Sequence, residues 1–346
     1  MPRRGHPWIS CDSRKDDRPS LKGFSPWSIL FDVSFRRIEK NKELYNFLAE
    51  LLGEELDDFL KWAYSEPPLY IRVNTLKISR EELRKRLEAR GFQLYDVDFY
   101  DLAFRVEGSP QLLGRTLEHF LGYFYVQDAA SMIPPLVLEP QPGEMVLDLA
   151  AAPGSKATQI AQMMENRGVL VANDNSIKRI KALSSNIDRL GVLNAVITEQ
   201  DGYKLTAGLQ ESFDRVLLDV PCSALGTLAK SNEVVRWWTT HRIGNLVRVQ
   251  RGLILAAYKA LRPGGVLVYS TCTLVPEENE GVVDFLLKRE EGAELVRFDL
   301  PGIKFREGIT EWKRNQYDPR VKLARRIMPY ENNMEGFFIA KIVRRY

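Results

Sequence analysis

Residues 144–161 read EMVLDLAAAPGSKATQIA. A short apolar run ends on Asp148, a bend of small residues follows, and a helix-compatible segment begins at once. Strand, small-residue loop and helix in that order form the opening unit of a doubly wound α/β fold, where ligands collect at the carboxyl ends of the strands. The small residues Ala150, Ala151, Ala152, Pro153, Gly154 and Ser155 let the backbone approach a ligand closely. The helix start beyond them supplies unpaired N–H groups. The loop is not G-x-G-x-x-G, and Gly154-Ser155-Lys156 runs in the wrong order for a phosphate-binding GxxxxGK[ST] loop. A nucleoside without a pyrophosphate fits it better.

Four more apolar runs follow: GVLVAND (168–174), NAVITEQD (194–201), FDRVLLDV (213–220) and GGVLVYSTC (264–272). ATQIAQMMENRG, SIKRIKALSSNIDRLG and the long IGNLVRVQRGLILAAYKALRPG lie between them with helical patterning. Such alternation predicts a parallel sheet covered by helices on both faces. Asp174 ends the second run twenty residues past Gly154, the distance at which a carboxylate meets ribose hydroxyls in such folds. Asp201 ends the third, placed to accept a hydrogen bond from an adenine amino group. One acidic strand end alone reads as readily as a loop residue or helix cap. Three of them, Asp148, Asp174 and Asp201, behind a small-residue loop favour a nucleoside cofactor, with S-adenosylmethionine the natural candidate.

The fourth run ends in LLDVPCS, carrying Asp219, Pro221 and Cys222, and the fifth in YSTCT, carrying Cys272. Adjacent strand ends lie about 5 Å apart, so thiols fifty residues apart in sequence can face one pocket. A single free cysteine reads as a core residue. Two at the ligand-binding edge point towards chemistry. No histidine lies within thirty residues of Cys272 to act as its base.

The chain has 346 residues, 45% apolar and 27% charged, with a net charge of +3, which is ordinary globular composition and enough for two domains. No apolar stretch is long enough to span a bilayer and the N-terminus has no signal-peptide core, so a cytoplasmic protein is expected. Cys11, Cys222 and Cys272, with His6, His119 and His241 far apart, suggest neither a disulfide framework nor a metal site. Residues 1–25 read as a flexible basic arm. Residues 26–125 read as helices interrupted at Gly53, then strand, helix, strand, strand, with Ser79 opening a helix by a capping box. The boundary falls near 125–140, in proline-rich PPLVLEPQPG, and residues 126–346 form the larger domain. Residues 304–326 hold eight Lys/Arg against three Asp/Glu. A solvated surface and a footprint for a polyanion are both open readings of that stretch. Trp237 and Trp238 beside Arg236 could stack on nucleotides or fill a core.

The motifs DLAAAPGSKATQIA, DVPCSALGT, STCTLVPEENEGVV, RVNTLK, YVQDAASMIPP and EGFFIAKI resemble the RNA 5-methylcytosine methyltransferases of the Sun/Fmu (Nop/Sun) family over residues 28–343. The resemblance implies a class I S-adenosylmethionine-dependent, Rossmann-like α/β domain with a mostly parallel seven-stranded sheet, preceded by a small α+β RNA-binding domain. It implies methyl transfer to cytosine C5 in RNA; a single compact chain without large extra modules favours tRNA over rRNA, a monomer without metal or membrane partners is expected, and a non-catalytic RNA-binding or ribosome-assembly factor with a retained fold is the alternative. It makes Cys272 the nucleophile, Cys222 the residue assisting release, Asp219 the holder of the cytosine edge and Lys156 the residue that orients the base or sets local charge. Ala150 to Lys156, Asp174, Arg179, Asp201 and Asp219 would contact the cofactor, with Pro221 and Asn279 near the substrate and Asn279 helping to fix the nucleophile's loop. Ala224 stands where the family usually has glycine. The structural alternatives are that Pro221 only shapes its loop and that Pro276-Glu277-Glu278-Asn279 is an ordinary helix start.

Overall fold

The computed structural model describes residues 38–346; the expected basic arm at 1–25 lies outside them. The first helix, α1 (Lys42–Leu52), starts where the Asn41 side chain accepts from the Leu44 amide at 3.1 Å. Gly53 ends it at φ +55°, and α2 (Leu56–Tyr64) follows. Their apolar faces are buried against the C-terminal half of the chain. The Phe47 ring lies 5.0 Å from that of Trp238, and the Asn41 amide donates to the Val235 and Trp238 carbonyls at 2.9 and 3.0 Å.

The next unit is a four-stranded antiparallel sheet of β1 (Leu69–Val73), β2 (Gln93–Asp96), β3 (Ala103–Glu107) and β4 (Phe124–Val126), in the order β2-β3-β1-β4. The helix α3 (Arg80–Glu88) is capped by the Ser79 hydroxyl accepting from the Glu82 amide at 3.2 Å, as its sequence predicts. Two single-turn helices, α4 (Pro110–Leu113) and α5 (Leu117–Phe120), connect β3 to β4. A small core of Ile71, Val73, Leu83, Leu87, Phe104 and Phe124 holds the unit together.

The proline-rich boundary is not an extended linker. Residues 129–138 form α6 (Ala129–Leu138), with Pro134 and Pro135 inside it, opened by Asp128 accepting from the Ala130 amide at 2.9 Å. The prolines forfeit backbone donors, but Met132, Ile133, Val137 and Leu138 are all buried in the larger domain, and that burial holds the helix.

The larger sheet contains β5 (Met145–Asp148), β6 (Val169–Asp174), β7 (Ala195–Glu199), β8 (Phe213–Asp219) and β9 (Leu261–Thr271), parallel in the order β7-β6-β5-β8-β9. The five apolar runs are these five strands, although the third stops at Glu199, two residues before Asp201. Helices α7 (Ser155–Met163), α8 (Ile177–Leu190), α9 (Gly202–Ala207), α10 (Asn232–Trp237), α11 (Thr240–Ala260) and α12 (Glu280–Leu287) connect and cover them. After α12 come β10 (Ala293–Val296), β11 (Phe305–Glu307), a small hairpin of β12 (Glu311–Trp312) and β13 (Asn315–Gln316), then β14 (Arg325–Ile327), α13 (Pro329–Asn332) and β15 (Phe337–Arg344). β15 runs antiparallel beside β9, and its other edge is shared end to end by β10 and β14, with β11 beyond β14. The sheet has nine strands where seven are expected, because the excursion between residues 297 and 327 folds back to extend its edge.

That excursion also engages part of the basic stretch. Arg326 is buried and forms two 2.6 Å contacts with Glu280; Arg325 is buried and reaches Asp299 and the Phe298 carbonyl. Arg306 binds Glu55 and Glu331, and Arg320 binds Asp318. These four of the eight basic residues hold the fold's own carboxylates, so half of the stretch's positive charge is engaged within the fold.

Candidate active site

The loop after β5 is shaped from beneath. The Ala151 amide donates to the Asn173 carbonyl at 2.7 Å, and the Gly154 amide returns to the Ala151 carbonyl at 2.8 Å. Gly154 sits at φ +106°, a region glycine enters without penalty, and a Cβ there would press on Leu183 at 3.0 Å. The Asn173 amide donates to the Leu149 and Gln200 carbonyls at 3.1 and 3.0 Å, tying the ends of three strands together. The Asn186 amide donates to the Pro153 carbonyl at 2.9 Å, which makes it a support of the loop.

Asp148 lies at the base of this loop. Its side chain is buried and neither carboxylate oxygen has a hydrogen-bond partner among the described residues. Burial pushes its pKa up to about 7, against the opposing positive charge of Lys156. Asp174 accepts from the Ser176 amide with one oxygen, while Arg179 stands 3.2 Å from the other and also donates to the Ala152 carbonyl. Asp201 is exposed and caps α9, one oxygen accepting from the Tyr203 and Lys204 amides. Strand-end carboxylates with unfilled acceptor capacity beside a close-approach backbone suit the hydroxyls and ammonium group of S-adenosylmethionine.

The two thiols meet. Cys222 Sγ and Cys272 Sγ are 3.2 Å apart, at the ends of β8 and β9, whose register pairs Asp219 with Ser270. Asp219 accepts from the Ser270 hydroxyl at 2.8 Å and from Lys156 Nζ at 2.7 Å, and Lys156 also donates to the Ser131 hydroxyl at 2.8 Å. Burial alone would lower the Lys156 pKa, but the charge and hydrogen bond of Asp219, with Cys272 and Asp148 beyond, hold it above its ordinary value. It is a fixed cation. The Cys222 pKa is raised well above an ordinary thiol's by its hydrogen bond with Cys272 and by burial, with Glu278 adding to both. Cys222 is therefore held as the neutral thiol.

Each cysteine loop is braced. The Asn279 side chain does not cap α12; its oxygen accepts from the Thr271 hydroxyl at 2.6 Å and its amide donates to the Thr273 carbonyl at 3.0 Å, bracketing Cys272. The helix start expected at 276–279 is present, since α12 begins at Glu280, and the Asn279 side chain at that start braces the thiol loop. Buried Glu278 accepts from the Ser223 amide at 3.0 Å and from Gln250 at 2.8 Å, and Gln250 also donates to the Pro221 carbonyl at 2.9 Å. Pro221 itself is exposed. Ala224 sits at φ +58°, ψ +29°, a left-handed conformation that explains a preference for glycine there.

A cleft of about 220 Å³ collects Asp148, the 150–156 loop, Asp219 and Cys272 with three residues that sequence reasoning did not assign: Ser131, Glu335 and Phe337. All three lie inside the quoted motifs YVQDAASMIPP and EGFFIAKI. Burial pushes the Glu335 pKa up to about 7, and its carboxylate meets Lys230 at 3.0 Å.

Residues 135–343 match the family model for 16S rRNA methyltransferase RsmB/F, and residues 41–129 match that for the N-terminal domain of 16S rRNA methyltransferase RsmF. The tRNA (cytosine(49)-C(5))-methyltransferase of Pyrococcus abyssi is 44% identical over 90% of this chain and 98% of its own length. The 25S rRNA (cytosine-C(5))-methyltransferase nop2 of Schizosaccharomyces pombe is 38% identical, and ribosomal RNA small subunit methyltransferase F of Shewanella amazonensis 39%. The match spans 50% and 64% of those two longer proteins. A methyltransferase homologue from Pyrococcus horikoshii superposes with a TM-score of 0.78 at 35% identity, covering 93% of this chain and 100% of that one. NSun6 from the same organism, determined with SFG, gives 0.75 at 29% identity, covering 88% and 98%.

Sheet order, cofactor loop and these relatives together define an S-adenosylmethionine-dependent RNA methyltransferase. The chain belongs to the 16S rRNA methyltransferase RsmB/F family.

Proposed function

We propose that this protein transfers a methyl group from S-adenosylmethionine to C5 of a cytosine in RNA through a covalent adduct on Cys272, and that its RNA is tRNA. The observation that carries the reading is the thiol pair: two cysteines 3.2 Å apart at adjacent strand ends, beside the ion pair of buried Lys156 with half-buried Asp219. The extent of the match to the P. abyssi tRNA enzyme, nearly end to end, supports tRNA.

Cytosine C5 is too weak a nucleophile to take a methyl group unaided. The Cys272 thiolate adds to C6, a bond forms between sulfur and carbon, and the C5–C6 pair of electrons becomes available at C5. Asp219 holds the N3/N4 edge of the base, and N3 takes up a proton as charge develops there, which balances the one the Cys272 thiol has given up. Lys156 supplies the positive charge that favours the thiolate, which a permanent base partner would otherwise have to generate. When bound, S-adenosylmethionine supplies an electrophilic methyl group. The residues that would hold it are the 150–155 backbone, Asp148, Asp174 and Asp201, with Arg179 bracing both loop and carboxylate. After transfer a solvent water takes the C5 proton, the C5–H electron pair restores C5=C6, and the sulfur–C6 bond breaks with its pair returning to Cys272. Cys222, kept neutral, is placed to assist that release by giving the departing sulfur a hydrogen bond or a proton. Residues 41–129 would carry part of the RNA contact.

The test is labelled methyl transfer to bulk tRNA and, separately, to rRNA, by wild type, Cys272→Ala and Cys222→Ala, with nucleoside identification and a denaturing gel. The reading expects 5-methylcytosine in tRNA, none with Cys272→Ala, and accumulated protein–RNA adduct with Cys222→Ala. Full activity in Cys272→Ala would remove the nucleophile assignment, and transfer to rRNA alone would remove tRNA.

A further inference from the structure

Cys222 has two sides. One faces Cys272; the other lines a groove of about 470 Å³ together with Trp237, Arg242, Asn245, Leu246 and Val249. The groove is built where α10 ends and α11 begins. The two tryptophans at that junction are sorted by the turn between the helices, since Trp238 has extended backbone (ψ 128°). Trp238 is fully buried against Phe47, while Trp237 stays half-exposed and lines the groove. The Arg242 guanidinium lies 5.4 Å from the Trp237 ring centroid and is exposed. Val249 is 45% exposed, a large apolar side chain left facing solvent.

Resting on the function proposed above, we infer that this groove binds the base of a nucleotide adjacent to the target cytosine, stacked on Trp237 in place of the exposed Arg242 guanidinium that lies over the ring, with Arg242 then facing its phosphate. A cytosine that reaches both thiols has left its stack, so its neighbours lose a stacking partner. The indole face replaces that partner, Leu246 and Val249 give the base an apolar wall, and Asn245 presents an amide to its edge. The guanidinium beside the ring adds the charge a polyanion requires. Because Cys222 lines the groove, a base held there is connected to the reacting centre through one residue.

The experiment measures RNA affinity by polarisation with fluorophore-labelled bulk tRNA, together with kcat, RNA KM and calorimetric S-adenosylmethionine affinity. The variants are Trp237→Ala, Trp237→Phe and Arg242→Gln. Loss of one stacked base corresponds to a rise in RNA Kd and KM of about tenfold for Trp237→Ala, with cofactor affinity unchanged and Trp237→Phe within about threefold of wild type. Arg242→Gln, at an exposed position that leaves the core intact, should weaken RNA binding severalfold and flatten its salt dependence by about one phosphate contact. Unchanged RNA affinity in both Trp237→Ala and Arg242→Gln would overturn the proposal. So would a loss of cofactor affinity matching the loss of RNA affinity, because the groove would then belong to the cofactor. If the wild type methylates no RNA, the function proposed above fails, while the polarisation measurement still decides whether this groove binds RNA.

Discussion

The Ser223 hydroxyl lies 2.7 Å from the Thr273 hydroxyl, each one residue beyond a cysteine, so a buried hydrogen bond fixes the two thiol loops to each other. Thr273→Val leaves the Ser223 hydroxyl buried without that partner, at a cost of about 1–3 kcal/mol. It also frees the thiols to drift, and misplacement by about 1 Å can cost a reaction of this kind two orders of magnitude. The expected result is a fall in kcat of tenfold or more with RNA KM little changed. Ser223→Ala combined with Thr273→Val should recover much of the stability, since both partners are then apolar, but not the rate. Steady-state kinetics with thermal unfolding would check both, and an unchanged kcat in the single variants would show that the bond does not set thiol geometry.

Ala224 pays for a left-handed backbone with a Cβ it does not need. Ala224→Gly relieves about 1 kcal/mol of that strain, offset in part by the greater freedom glycine gains in the unfolded chain. A net stabilisation of about 0.5 kcal/mol is expected, read as a small rise in Tm with activity retained. A drop in Tm would mean that the methyl's packing outweighs the strain.

The five parallel strands, their acidic ends and the two cysteines were legible in the sequence because each is written locally, as an apolar run closed by a polar residue. The remainder depends on residues distant in sequence. Glu335 joins the cleft only because β15 returns beside β9, and Glu278 becomes a brace only because Ser223 and Gln250 arrive from other elements. For Asn279 the local pattern gave the helix start and only the family resemblance gave the role at the thiol loop; its side chain turns back to Thr271 and Thr273, since two buried loop groups there need partners. The tryptophan pair shows the same limit: adjacent identical residues went to core and groove, and periodicity has no means of separating them.

Asp148 and Glu278 make stability depend on pH in a defined direction. Burial raises each pKa to about 7, whereas in the unfolded chain these carboxyls titrate near 4. Between about pH 4 and 7 the folded state therefore holds protons the unfolded state has lost, and their contribution to stability falls as pH rises through that window. Thermal unfolding without cofactor from pH 5 to 8 should show this decline, and Asp148→Asn should flatten it. A variant whose Tm follows wild type in parallel across the range would show that Asp148 is ionised throughout.

Arg72 sets how the small sheet sits on the larger domain. Its buried guanidinium donates to Gln127 at 3.0 Å, Gln162 at 2.9 Å and Thr158 at 2.8 Å, joining β1 to α7. Burial lowers its pKa to about 10, which still leaves it charged at neutral pH, and its hydrogen-bond acceptors are all uncharged. Arg72→Met keeps much of the side-chain volume but strands those acceptors, for a loss of about 2–4 kcal/mol. Arg72→Lys recovers only part, because a single ammonium cannot reproduce the planar fork. Asn74 and Lys77, from the same RVNTLK motif, also cross to the Leu190 and Arg189 carbonyls, at 2.8 and 2.7 Å, so the sheet should loosen rather than detach. Limited proteolysis should then cut Arg72→Met between β4 and α6 faster than wild type, while cofactor affinity, which depends on the larger domain, stays within about twofold. Equal cleavage rates would mean that the apolar contacts of α6 alone fix the orientation.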